Sequence, residues 1–221
     1  MSQPLRLAAF ISGGGRTLMN IADYIDRGEL NASIELVIAS RGDIPGVERA
    51  QARGLNTLVV ARRDFASEEA MHDAITKQLL ERSIQLVCLC GYLRKVRIDE
   101  PFQWRVMNIH PALLPEFGGK GMYGDRVHRA VLEAGRTISG CTVHFVDEHY
   151  DHGPIILQRT CPVLPTDTVE TLAARVFQQE CIAYPEAISL FAANRLRVVD
   201  DQVIILPPIN SPGEAEAASQ L

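Results

Sequence analysis

The chain has 221 residues, of which 47% are hydrophobic and 22% charged, and its 22 basic and 27 acidic side chains leave a formal net charge of −5. A chain of that length buries roughly 70% of its unfolded surface, which excludes a disulfide-stapled mini-protein, and the apolar fraction excludes disorder for the bulk. No basic excess is present to grip a nucleic-acid backbone, and no apolar run approaches the roughly 20 residues of a membrane span, so neither partner is expected.

Strand and helix patterns alternate through the first half. Residues 5–11 form an apolar run that ends at Gly13-Gly14-Gly15. Leu18, Ile21, Ala22 and Ile25 share one face of a helix predicted over 17–27, with Gly28 as its stop. A strand is expected at 34–39, a short helix at 47–53 closed by Gly54, and a β-branched strand at 57–60. Ser67 reads as the N-cap of a helix whose apolar face is Ala70, Ile75, Leu79 and Leu80. Residues 86–90 form a continuous apolar run ended by Gly91.

In the second half, 105–109 is strand-like and runs into His110-Pro111, 127–133 is helical, and 141–146 and 155–159 are strand-like. The longest helical pattern covers 168–191, and a last strand is expected at 196–199. Continuous apolar strands are buried on both faces, so the fold class is α/β: a doubly wound, mostly parallel sheet with helices on both faces, Rossmann-like. We expect one domain over 1–206, with a nucleotide- or phosphate-binding half (5–104) and a catalytic half (105–206), and a flexible tail at 207–221. Ligands in such sheets bind beyond the carboxyl ends of the strands.

Five cysteines, Cys88, Cys90, Cys141, Cys161 and Cys181, are odd in number and form no CxxC pair, which predicts reduced thiols and a cytoplasmic protein. The apolar stretch at 7–11 is too short for the core of a signal peptide.

Three clusters bear chemistry. The glycine turn precedes a helix, where backbone N–H groups and the helix dipole favour a phosphate; Arg16 and Thr17 add a charge and a hydroxyl. A turn made only for packing is the plain alternative. Leu18 stands where a dinucleotide fingerprint needs Gly or Ala, and no GK[ST] follows, so neither that fingerprint nor a Walker loop is present; Arg41 leaves NADP as a weak alternative. In the second cluster, Asn108 and His110 lie two apart on a strand, so they face the same side and can hold one carbonyl oxygen as it becomes an oxyanion. The third is the loop 147–154. Its Asp147 and Glu148 read as solvated, whereas Gly153-Pro154 make a defined turn that holds Asp151, a carboxylate able to raise a neighbouring imidazole's pKa. The spacing of His144, His149, Asp151 and His152 matches no common zinc pattern, so no metal site is expected.

Asn108-Ile109-His110-Pro111 together with Asp151-x-Gly153-Pro154 resembles the phosphoribosylglycinamide formyltransferase family of folate-dependent enzymes. Residues 11–15, 90–94, the run from Asn108 to Pro115, 141–146 and 179–185 extend the resemblance over about 7–197. It implies a cytoplasmic enzyme of purine biosynthesis that moves a formyl group from 10-formyltetrahydrofolate to the amine of glycinamide ribonucleotide, with no metal, as a monomer or homodimer. By resemblance, Asn108 and His110 hold the formyl oxygen, with His110 as proton donor, and Asp151 raises the histidine's pKa. Gly15, Arg16 and Thr17 fall at the substrate phosphate, and Glu180 at the ribose or glycinamide part. Leu93, Arg94, Lys95 and Val96 fall at the pterin, and Glu148, His149, Tyr150 and Asp151 on the folate loop.

The chain departs from that pattern in three places. Arg16-Thr17 replaces a common Ser-Asn, Glu68 replaces a basic residue of some members, and a glycine-rich stretch at 118–124 reads as a flap whose Lys120 can reach a phosphate or the folate's glutamate tail. Competing readings are a formyltetrahydrofolate hydrolase, formyl transfer to a sugar-nucleotide amine or to methionyl-tRNA, and a non-enzymatic NADP- or nucleotide-binding module. That module would not need Asn108, His110 and Asp151 together.

Overall fold

The structure, a computed structural model, describes residues 3–208. Nine strands and five α-helices are arranged among them: β1 (Leu5–Ile11), α1 (Arg16–Asp26), β2 (Ala32–Ala39), α2 (Pro45–Ala52), β3 (Thr57–Val59), α3 (Glu68–Glu81), β4 (Leu86–Leu89), β5 (Val106–His110), α4 (Asp125–Glu133), β6 (Ile138–Phe145), β7 (Ile155–Pro162), α5 (Val169–Ala192), β8 (Leu196–Val199) and β9 (Gln202–Ile205). Seven strands form one sheet in the order β3-β2-β1-β4-β5-β6-β7. The first five in that order run parallel, β6 runs antiparallel to β5, and β7 runs antiparallel to β6.

The period of two along β1 explains the layering. Leu7, Ala9 and Ile11 pack into one core with Leu18 and Ile21 of α1, Val47 of α2, Val131 of α4 and Leu172 and Val176 of α5. Ala8 and Phe10 face the other side, against Met71, Ile75 and Leu79 of α3. The sheet therefore carries helices on both faces, as its apolar runs imply. Cys88 and Cys90 are small buried members of this packing. Ser67 caps α3 by accepting from Ala70 N–H, and Thr168 caps α5 in a reciprocal box with Thr171. Tyr184 of α5, fully buried, sets its hydroxyl 2.8 Å from Met107 O and 3.2 Å from Leu89 O, fastening α5 under the two strands whose ends carry the site.

Several boundaries differ from the sequence reading. Helix α2 starts at Pro45, which fits the first helical turn because it has no N–H to satisfy there. Helix α4 starts at Asp125, β6 at Ile138, and β7 continues to Pro162. Strand β9 has no counterpart in the sequence reading. It pairs with β8 through Asp200 and Asp201, both at positive φ (47° and 57°), a tight hairpin turn built without the usual Asn-Gly signal. Most of the expected tail, 209–221, lies outside the described residues.

Candidate active site

The carboxyl ends of β1, β4 and β5 open onto a cleft of about 620 Å³. Its lining includes Arg16, Thr17, Phe177 and Glu180, the 93–96 segment, the loop after β6, and Asn108 and His110. Arg16 lays its guanidinium 3.8 Å from the centre of the Phe177 ring. Burial pushes the Glu180 carboxyl up to about 7, against the opposing pull of Arg16.

Gly15 is placed differently from the expectation. It is not among the cleft-lining residues; it is buried at φ +69°, and a Cβ there would stand 3.0 Å from the Cα of Gly46. Gly46 N–H in turn donates to Gly13 O. Gly15 and Gly46 thus let α1 and α2 approach, whereas Gly13 has open space around it, and Arg16 and Thr17 reach the cleft. Arg49 of α2, missed in the sequence, donates to Gly14 O over 2.6 Å and adds a second cation beside the turn.

The 93–96 segment is held by Ser12. Its hydroxyl accepts from Leu93 N–H at 3.1 Å and from Ser40 at 2.8 Å. Leu93, Arg94, Lys95 and Val96 all line the cleft, as do Glu148, His149, Tyr150 and Asp151.

Asn108, His110 and Asp151 come together. His110 is buried, with Nδ1 3.4 Å from Asp151 Oδ2 and Nε2 donating to the Phe117 carbonyl at 2.8 Å. Asp151 sits at φ +53°, a left-handed conformation that Asp tolerates better than most residues. Gly153 lets the loop close behind it, since a Cβ there would overlap Phe145 O. Asp151 Oδ2 also accepts Gly119 N–H at 3.0 Å. The backbone of the 117–119 segment therefore touches both members of the pair.

His144, which the sequence presents only as a candidate metal ligand, belongs to this cluster. Asn108 and His144 are register partners across the antiparallel β5–β6 ladder. The buried His144 ring puts Nδ1 2.8 Å from Phe145 O, which can only accept, so Nδ1 carries the proton. In the neutral ring Nε2 is then an acceptor, and it takes Asn108 Nδ2–H at 3.1 Å. Nδ2 also donates to Asp151 Oδ1 at 3.3 Å. Both amide hydrogens are thus engaged, and Asn108 must release one partner to hold a substrate oxygen.

Asp151 acts on His110 in the expected direction, but burial outweighs it. Burial lowers the His110 pKa, and the opposing effects of Asp151 and the Phe117 carbonyl do not overcome it. Burial alone would raise the Asp151 carboxyl; the neighbouring His110 and the Gly119 N–H help hold it below the usual carboxylate range. The pair is an ionised carboxylate beside a mostly neutral imidazole. Asp147 is no free loop carboxylate either: it accepts from His149 N–H and from His152 Nδ1, both at 2.7 Å.

Residues 5–188 match the formyl transferase family, and the chain belongs to it. The chain is 36% identical to the chloroplastic phosphoribosylglycinamide formyltransferase of Arabidopsis thaliana, over 95% of this chain and 73% of that one. It is 35% identical to phosphoribosylglycinamide formyltransferase of Haemophilus influenzae, over 89% of this chain and 91% of that one. The crystal structure of glycinamide ribonucleotide transformylase 1 from Symbiobacterium toebii superposes with a TM-score of 0.86 at 40% identity, covering 94% and 96% of the two chains.

Proposed function

We propose that this chain transfers the formyl group of 10-formyltetrahydrofolate to the amine of glycinamide ribonucleotide, a step of purine biosynthesis. The observation that carries the reading is the gathering of Asn108, His110 and Asp151 in one cleft with Arg16, Thr17 and Glu180 and with the 93–96 segment, in a chain of this family. Arg16 and Thr17 take the substrate's phosphate and Glu180 its ribose or glycinamide part. The segment 93–96 takes the pterin, with Glu148, His149, Tyr150 and Asp151 closing over the folate.

The amine nitrogen bonds to the formyl carbon and the C=O π pair moves to the oxygen; when that pair re-forms the carbonyl, the bond from the carbon to the folate nitrogen breaks. Negative charge grows on the formyl oxygen, where Asn108 and protonated His110 donate. One proton leaves the amine and one reaches the departing folate nitrogen. The ionised Asp151, beside His110, helps move them. No step calls on a metal. For His110 to turn its Nε2 donor to the formyl oxygen, the Phe117 carbonyl must give it up.

No helix among the described residues is long and apolar enough to cross a membrane. The five unpaired thiols fit the cytoplasmic, reducing compartment this reading assigns.

The test offers purified protein 10-formyltetrahydrofolate with glycinamide ribonucleotide, a sugar-nucleotide amine or water alone, and follows folate absorbance. Turnover that depends on glycinamide ribonucleotide supports the reading. Turnover with water alone at the same rate replaces it with a hydrolase.

A further inference from the structure

The loop between β6 and β7 places three metal-ligating side chains together outside the catalytic cluster. Asp147, His149 and His152 each offer one ligand atom, all within 4.8 Å of one another. His152 Nδ1 donates to Asp147 Oδ2 at 2.7 Å, so a proton already sits where a cation would bridge them. The His149 and His152 rings stand 5.4 Å apart, centre to centre. Asp147 is steadied by the His149 N–H on its other oxygen. This trio is not the one weighed from the sequence: His144 is buried in the Asn108–Asp151 network, and Asp151 faces His110.

We propose that Asp147, His149 and His152 form a binding site for a divalent transition cation, and that its occupancy weakens folate binding in the adjoining cleft. Two imidazoles and one carboxylate suit zinc, copper, nickel or cobalt, whereas magnesium and calcium prefer oxygen donors. Ligand bonds near 2.0 Å put tetrahedral ligand atoms about 3.3 Å apart, so the widest pair must close by roughly 1.5 Å. The two histidines are exposed and free to turn that far. Water completes the coordination. Binding exchanges the His152 proton for the cation and leaves both imidazoles neutral.

The geometry also sets the direction of the coupling. Asp147 and His149 line the cleft, and His152 does not. A cation that joins all three draws two cleft-lining side chains toward a residue outside it. This second part rests on the assignment of that wall of the cleft to folate; the cation site itself does not.

Isothermal titration of the untagged protein with zinc chloride, and the visible absorption of its cobalt form, measure the site. One saturable cation per chain is expected, weakened at least tenfold in His152→Ala and again in His149→Ala, with circular dichroism confirming that each variant is folded. No saturable binding, or undiminished binding in His152→Ala, overturns the site. The affinity of a non-reacting folate analogue is then measured with and without zinc. A loss of threefold or more in the wild type, absent in His152→Ala, supports the coupling. Zinc that binds at the trio and leaves the analogue's affinity unchanged overturns the coupling and leaves the site standing. An analogue that does not bind even without zinc overturns the folate assignment, and the coupling with it.

Discussion

His110 Nε2 donates to the Phe117 carbonyl over 2.8 Å, so the donor assigned to the reaction is engaged by the flap in this state. Phe117 sits at φ +55°, where a bulky side chain is strained by about 1–3 kcal/mol. The flap contact is therefore a weak one to displace. Gly118, between Phe117 and Gly119, controls its position: a Cβ there would stand 2.5 Å from Leu114 Cδ2 and 3.3 Å from Asp151 Cβ. Gly118→Ala is expected to push the flap or Asp151 out of place and lower kcat about tenfold. Steady-state kinetics with circular dichroism as the folding check tests this, and wild-type turnover refutes it.

Glu180 makes a pH-dependent stability prediction. Its folded pKa is raised to about 7 from an ordinary 4.5, so the folded state holds the proton more tightly than the unfolded one. Its contribution is fully present below about 4.5 and is lost as pH rises through about 7. Glu180→Gln, which keeps the neutral shape, is expected to raise the Tm at pH 8 by about 2–4 °C, the shift that ~1 kcal/mol produces in a chain of this size. At pH 4.5 the two melting temperatures are expected to coincide. An equal difference at both values means that titration of this carboxyl is not the cause.

Much of this architecture is legible in the sequence, for reasons that also mark its limits. The inner strands β1 and β2 end in continuous apolar runs (7–11 and 36–39) and β4 is apolar throughout because helices cover both faces, and β1 and β4 run into glycines. Asn108 and His110 share a face by the period of two, and Asp151 is flagged by Gly153-Pro154. The His144 contact depends instead on antiparallel register between strands 36 residues apart, which no local pattern encodes. The contacts of Phe117 O and Gly119 N–H are backbone groups, common to nearly every residue type. The sign of the His110 shift turns on how deeply the ring is buried, and the sequence shows the carboxylate beside it but not that depth.

Arg16 tests the substrate site. Its guanidinium lies over Phe177 in the cleft wall, on different elements from the 93–96 segment assigned to folate. One charge-assisted contact to phosphate is worth roughly 1.5–3 kcal/mol. Arg16→Ala is expected to weaken glycinamide ribonucleotide about tenfold or more and to leave folate affinity within about twofold. Calorimetric titration with each ligand separates the two, and equal weakening of both shows that the turn serves packing alone.

Dialysis against a strong chelator is expected to leave turnover intact. The reaction needs hydrogen-bond donors on an oxyanion rather than a Lewis acid, and the Asp147, His149 and His152 cluster stands apart from the donors. Loss of turnover that added zinc restores would place a metal in the chemistry.

The last prediction concerns Asn108, His110 and Asp151 as a unit. A donor aimed at an oxyanion is worth roughly 3–4 kcal/mol, a hundred- to thousandfold in rate. Burial lowers the His110 pKa, so the charged donor grows scarcer as pH rises, and kcat is expected to fall through that pKa. Asp151, 3.4 Å from Nδ1, opposes the shift. Asp151→Asn removes the opposing charge, so the fall in kcat moves to lower pH and turnover at neutral pH drops strongly while KM changes little. His110→Ala and Asn108→Ala each cost about two orders of magnitude or more, and the double variant costs less than the product because both serve one oxygen. His144→Leu separates positioning from chemistry: removing the Nε2 acceptor at 3.1 Å releases one Asn108 hydrogen, so kcat changes without a matching change in KM. Turnover against pH for the variants, with imidazole proton NMR on the wild type and Asp151→Asn, makes the measurement. An unchanged His110 titration and near-normal turnover in Asp151→Asn would break the coupling and return Asp151 to the role of a loop residue.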